Sequence, residues 1–88
     1  AGVARNLGHD GRYIAQVRAT KGIDLDALSN ETKIAQRYLT AIEENAFERL
    51  PAPVFVRGYL REIARALGID EGALVDGYMA LYEQHRGG

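Results

Sequence analysis

The chain has 88 residues, 47% of them hydrophobic and none of them cysteine, which is enough apolar material for one small core and excludes a disulfide framework or a thiolate metal site. Eleven basic residues face twelve acidic ones, seven against seven in residues 1–50 and four against five in residues 51–88, so the basic excess of a domain that lives on phosphate contacts is missing. No apolar run approaches the roughly 20 residues of a membrane span, and no signal-peptide pattern opens the chain; together with the absence of cysteine this fits a cytoplasmic location.

Residues 1–10 hold scattered glycines and few apolar positions, and residues 85–88 trail off in glycine. Both read as flanks of a domain spanning 11–84. His9 and His85 belong to these flanks and have no second ligand at helical spacing, so neither suggests a metal site. Periodicity is helical from end to end. The first helix starts after Asp10 as cap, turns Ile14 and Val17 inward and ends at Gly22. Asp24 caps a short second helix carrying Leu25 and Leu28. After a tight connection at Lys33-Ile34, a third helix runs from about Ala35 to Glu44, with Tyr38, Leu39 and Ile42 on one face. Pro51 and Pro53 close that unit, and Pro53 suits the first position of a fourth helix reaching Leu67 before Gly68. Asp70 caps a fifth helix extending to about Gln84, with Leu74, Tyr78, Leu81 and Tyr82 inward. The expected fold is all-α, a five-helix bundle.

Within it, Leu25–Glu43 has the spacing of a helix-turn-helix. Counted from Leu25, apolar residues fall at the fourth (Leu28), tenth (Ile34), fifteenth (Leu39) and eighteenth (Ile42) positions, and small Ser29 is fifth. The ninth position, often glycine, is Lys33, so the turn requires a non-glycine residue in a strained conformation. The outward residues at the start of the third helix, Gln36, Arg37 and Thr40, are types that read bases or touch phosphate. Glu43 and Glu44 are placed on the same outward half, giving that face a net charge of about minus one and disfavouring a phosphate backbone. On this count the third helix is a packing element with a solvated face, and DNA readout is the alternative.

The run Thr32-Lys33-Ile34, then Tyr38-Leu39, Ile42-Glu43, Phe47, the segment Leu50-Pro51-Ala52-Pro53-Val54-Phe55-Val56-Arg57-Gly58-Tyr59-Leu60-Arg61, and finally Ala64 and Leu67-Gly68-Ile69-Asp70 resemble the N-terminal cytoplasmic domain of the RodZ family. The resemblance covers about residues 12–83, and the Leu-Pro-x-Pro-x-Phe-x-Arg-Gly-Tyr-Leu-Arg segment is its specific part. It implies a repressor-like helix-turn-helix fold in the cytoplasmic part of a membrane-anchored protein. It also implies a protein partner, the actin-like filament protein MreB, bound through the fourth helix in support of cell shape.

The fourth helix has its own pattern. At 100° per residue, Val56, Leu60, Ile63 and Leu67 form a core stripe, and Arg57, Arg61 and Arg65 line one flank at spacings of four. Phe55 and Tyr59 sit on the opposite shoulder with Glu62 beside them. The arginines are either a solvated face paired with acids of the fifth helix or a surface for an acidic partner. The aromatics are either covered by neighbouring segments or exposed for binding. Gly58, inside the helix, costs about 1 kcal/mol relative to alanine and calls for close approach of another helix or of a partner backbone. The only serine is Ser29, at a packing position, and no phosphate-binding glycine loop follows a strand. The sequence therefore points to no enzyme, no cofactor and no metal.

Overall fold

The computed structural model of the chain describes residues 9–87, which form five α-helices and one 3₁₀ turn: α1 Gly11–Thr20, α2 Leu25–Thr32, α3 Gln36–Glu43, the turn Phe47–Arg49, α4 Pro53–Leu67 and α5 Glu71–Gly87. Residues 1–8, assigned by sequence to a flank, lie outside the described residues.

Three of the helices begin at an aspartate whose side chain satisfies an orphan amide. Asp10 accepts from Tyr13 N–H at 3.0 Å and Asp24 from Ala27 N–H at 2.8 Å. Asp70 accepts from Ala73 N–H at 2.9 Å, and Pro53 occupies the first turn of α4, where no amide hydrogen is needed. The stops are left-handed residues. Gly68 ends α4 at φ +72°, and Lys33 ends α2 at φ +65°, the non-glycine strain expected of this turn. Side chains hold the Lys33 turn in place: Ser29 Oγ donates to Ile34 O at 2.6 Å, and buried Thr32 donates to Leu28 O while accepting from Ile34 N–H.

The helix-turn-helix positions Leu28, Ile34, Leu39 and Ile42 are all buried, as is the α4 stripe of Val56, Leu60, Ile63 and Leu67. α4 crosses the middle of the bundle, packing on both α2 and α5. α5 is latched by two phenols: Tyr78 donates to Ile42 O at 2.9 Å and Tyr82 to Pro51 O at 2.9 Å. α1 approaches the C-terminal end of α3 so closely that a Cβ on Gly11 would fall 2.0 Å from Ile42 O, while Gly11 N–H donates to Asn45 Oδ1 at 2.8 Å. Only glycine fits there.

Two sequence expectations are corrected. α5 continues to Gly87 rather than ending near Gln84. Leu81 is exposed, not inward: the buried arc of α5 runs from Leu74 through Tyr78 and Tyr82 toward Met79, and Leu81 lies about 20° outside its Leu74 edge. Met79 is buried in its place.

Candidate functional site

α4 divides its surface as its periodicity dictates, core on one side and solvent on the other. Val54 and Phe55, in its first turn, are 67% and 57% exposed and are the most exposed large hydrophobic residues among those described. Tyr59, one turn after Phe55, is half-buried, its ring stacked on that of Tyr38 from α3 with centroids 5.6 Å apart and planes at 29°. Offset stacking of this kind holds both rings in place. Gly58 lies on the same face, and a Cβ built on it would meet nothing within 4 Å. The expected close approach of another helix is therefore absent among the described residues, and the fold itself does not require glycine there.

The three arginines of the α4 flank do not share one environment. Arg65 donates from Nε to Glu71 at 3.0 Å and from Nη1 to Glu62 at 3.0 Å, the pairing with an acid of the fifth helix that its position allowed. The hydrogen bond to Glu71 raises its pKa first, with the charges of Glu71 and Glu62 adding to it. Arg57 and Arg61 are exposed and carry no ion pair among the described residues.

On α3 the structure reverses one expectation. Glu43 does not lie on the outward face. Its side chain, only 9% exposed, turns toward α1 and accepts from Arg18 Nε at 2.7 Å and Nη2 at 2.9 Å. Arg18 also donates from Nη1 to Ile23 O at 2.9 Å, and the hydrogen bond to Glu43 holds the guanidinium pKa above its ordinary value. The misplacement has a geometric cause: Glu43 is the last helical residue, where α1 passes close to the α3 C-terminus. Glu44, 4.0 Å from Arg49, is the acid that remains outside.

Of the candidate base-reading residues, Gln36 is tied to Asp26 by a 3.0 Å hydrogen bond. Arg37 lies over the Tyr38 ring, its Cζ 4.8 Å from the centroid, and Thr40 lies one turn along. Arg37, Tyr38, Thr40 and Arg49 line one recess of about 450 Å³. Sequence reasoning singled out neither Tyr38 nor Arg49 for this surface. Nothing along the chain brings Tyr38 to Tyr59, or Arg49 beside Arg37. Val54 was legible, because the helical wheel of α4 sets it among the solvent-facing positions. The flank histidines pack on aromatic rings, His9 on Tyr13 and His85 on Phe47.

Comparison with known proteins places this surface in context. A family model described as "Helix-turn-helix domain" matches residues 13–74. The cytoskeleton protein RodZ of Streptococcus pneumoniae is 32% identical over 78 residues, 84% of this chain and 28% of that protein. The uncharacterized membrane protein YmfM of Bacillus subtilis is 36% identical over 64 residues, 73% of this chain and 20% of that protein, so the chain spans about a quarter of the length of these relatives. Among solved structures, YmfM of Staphylococcus aureus, described as a candidate DNA-binding membrane protein, matches with a TM-score of 0.73 at 27% identity, over 81% of this chain and 87% of that one. The N-terminal DNA-binding domain of the biofilm regulator SinR from Bacillus subtilis matches with a TM-score of 0.57 at 28% identity, over 76% and 90%. The chain thus belongs to the helix-turn-helix domain family and is a homologue of RodZ and YmfM.

Proposed function

We propose that this domain is a non-catalytic protein-interaction module of the RodZ type, docking an MreB-like filament protein through α4 as the cytoplasmic part of a membrane-anchored protein. The observation that carries the reading is the exposed apolar face of the first half of α4. Phe55 stands in solvent one turn before Tyr59, and exposed Val54 precedes it in the first turn, on a helix whose core stripe is fully buried. Exposed aromatics on a rigid helix are the residues that dominate protein interfaces. Gly58 leaves a flat floor that a partner backbone can approach, with no atom of the described residues within 4 Å of a Cβ built there. No helix among the described residues is long and apolar enough to cross a membrane, so an anchor, if present, belongs to another part of the protein.

The test is co-pelleting of this domain with polymerised MreB, comparing wild type with Phe55→Ala and with Phe55→Ala/Tyr59→Ala. Loss of an anchor worth about 2 kcal/mol weakens binding roughly 30-fold. Because Phe55 is mostly solvent-exposed, the single variant leaves the fold intact. Equal pelleting of wild type and variants, or no pelleting of any, overturns the reading.

Nucleic-acid binding through Arg37 and Thr40 is the second reading. It is favoured by one observation, the withdrawal of Glu43 from the outward face of α3. Fluorescence titration with duplex DNA at rising salt decides it, because phosphate contacts weaken steeply with ionic strength. Absence of binding at low salt eliminates it.

A further inference from the structure

On α4 the arginines and the aromatics do not share a shoulder. At about 100° per residue, Arg57 and Arg61 lie roughly 120–160° around the helix axis from Phe55 and Tyr59. The cations that adjoin Tyr38, the ring stacked on Tyr59, come instead from α3 and the turn after it. Tyr38 stacks on Tyr59 at 5.6 Å, and the Arg37 guanidinium covers Tyr38 at 4.8 Å and donates to its hydroxyl at 3.4 Å. Tyr38 is thus shared between the aromatic pair and the 450 Å³ recess lined by Arg37, Thr40 and Arg49.

The recess is equipped for an anionic group. Of the four hydroxyl-bearing Ser and Thr side chains, Thr20, Ser29 and Thr32 each donate to a nearby backbone carbonyl, at 2.9, 2.6 and 2.7 Å. The Thr40 hydroxyl has no partner among the described residues. Arg37 is held on the Tyr38 ring, so less rotamer freedom is lost when it takes a ligand. The nearest acid, Glu44, meets Arg49 only at 4.0 Å with both side chains more than 60% exposed, a contact worth about 0–1 kcal/mol in water. Glu43 is turned away to Arg18.

We propose that this recess receives a carboxylate side chain of an acidic protein partner. The partner surface then runs from Phe55 and Tyr59 across the Tyr38 stack to Arg37 and Arg49, not around α4 to Arg57 and Arg61. The proposal rests on the protein-interaction reading and adds its charged subsite. A carboxylate fits better than a phosphate backbone for two reasons. The recess shares Tyr38 with the aromatic stack on Tyr59 of α4, and a chain with net charge −1 lacks the basic excess that a polyanion requires.

Two measurements test it. In the MreB pelleting assay, Arg37→Gln/Arg49→Gln is expected to weaken binding about tenfold, and Arg57→Gln/Arg61→Gln less than about twofold. All four side chains are exposed, so thermal melts of both variants should match wild type. If Phe55→Ala loses binding while Arg37→Gln/Arg49→Gln keeps it, the recess proposal fails and the α4 reading stands. If Arg57→Gln/Arg61→Gln loses as much as Arg37→Gln/Arg49→Gln, the proposal also fails. The second measurement does not depend on MreB: amide shifts of the domain titrated with a hexaglutamate peptide, and separately with a DNA duplex. Shifts centred on Arg37, Thr40 and Arg49 with the peptide, lost in Arg37→Gln/Arg49→Gln, sustain the recess even if MreB does not bind. Shifts that are absent, spread evenly over every arginine, or produced by DNA alone overturn it.

Discussion

Breaking the Arg18–Glu43 pair should unsettle the fold far more than an ordinary surface ion pair would. The guanidinium and carboxylate are 18% and 9% exposed, and they meet through two hydrogen bonds of 2.7 and 2.9 Å across 25 residues of sequence. Arg18 also holds the carbonyl of Ile23 at the start of the helix-turn-helix. Charge-assisted hydrogen bonds in such a setting are each worth about 1.5–3 kcal/mol, well above the 0–1 kcal/mol of a solvated pair. Glu43→Gln keeps the shape and removes the charge, which should cost about 2 kcal/mol. Arg18→Met strips both donors from a nearly enclosed carboxylate and should cost about 3 kcal/mol. In the double variant no orphaned charge remains, so its loss should fall short of the sum by about 2 kcal/mol. For a domain of this size the single losses correspond to a fall in melting temperature of roughly 8–24 °C. Urea unfolding of the four proteins, followed by circular dichroism, measures the cycle. Additive losses, or a Glu43→Gln cost below about 0.5 kcal/mol, would show that the pair is screened like a surface contact.

Two further outcomes follow from individual residues. Gly58→Ala places a Cβ in open space within a helix, so it should raise stability by up to about 1 kcal/mol while weakening partner binding at α4; a lower melting temperature would contradict the open geometry. Burial pushes the Tyr78 phenol well above its ordinary value of about 10, with the charges of Asp10 and Tyr82 contributing further. Its folded-state pKa is raised, so its contribution is fully present below about pH 10 and is lost as pH climbs beyond. Tyr78→Phe should cost about 1 kcal/mol at neutral pH by removing the bond to Ile42 O, and should flatten the alkaline decline; equal slopes for the two proteins would refute it.

The surface of α4 shows how much of a helix a single repeat decides. The buried stripe follows from one helical period, which can be counted, whereas exposed Phe55 and half-buried Tyr59 part company only through the stack of Tyr59 on Tyr38. The charges around that face cannot be counted in the same way. Arg57, Arg61 and Arg65 form one row by spacing, yet Arg65 is taken by Glu62 and Glu71 while the other two stay in solvent. The cations that end up near the Tyr38–Tyr59 stack, Arg37 and Arg49, are 22 and 10 residues upstream of Tyr59 and gather there only because α3 brings Tyr38 onto Tyr59.

By itself the sequence determined the five helices, their caps at Asp10, Asp24 and Asp70, the strained Lys33 turn, and the core positions of the helix-turn-helix and of α4. All of these depend on contacts within a few residues or on a repeat of 3.6. Tertiary structure alone decided that Glu43 faces Arg18, that Leu81 is left outside, that no described residue closes over a Cβ position on Gly58, and that Tyr38 links α3 to Tyr59. Each depends on how two helices approach one another, a distance that local periodicity does not encode.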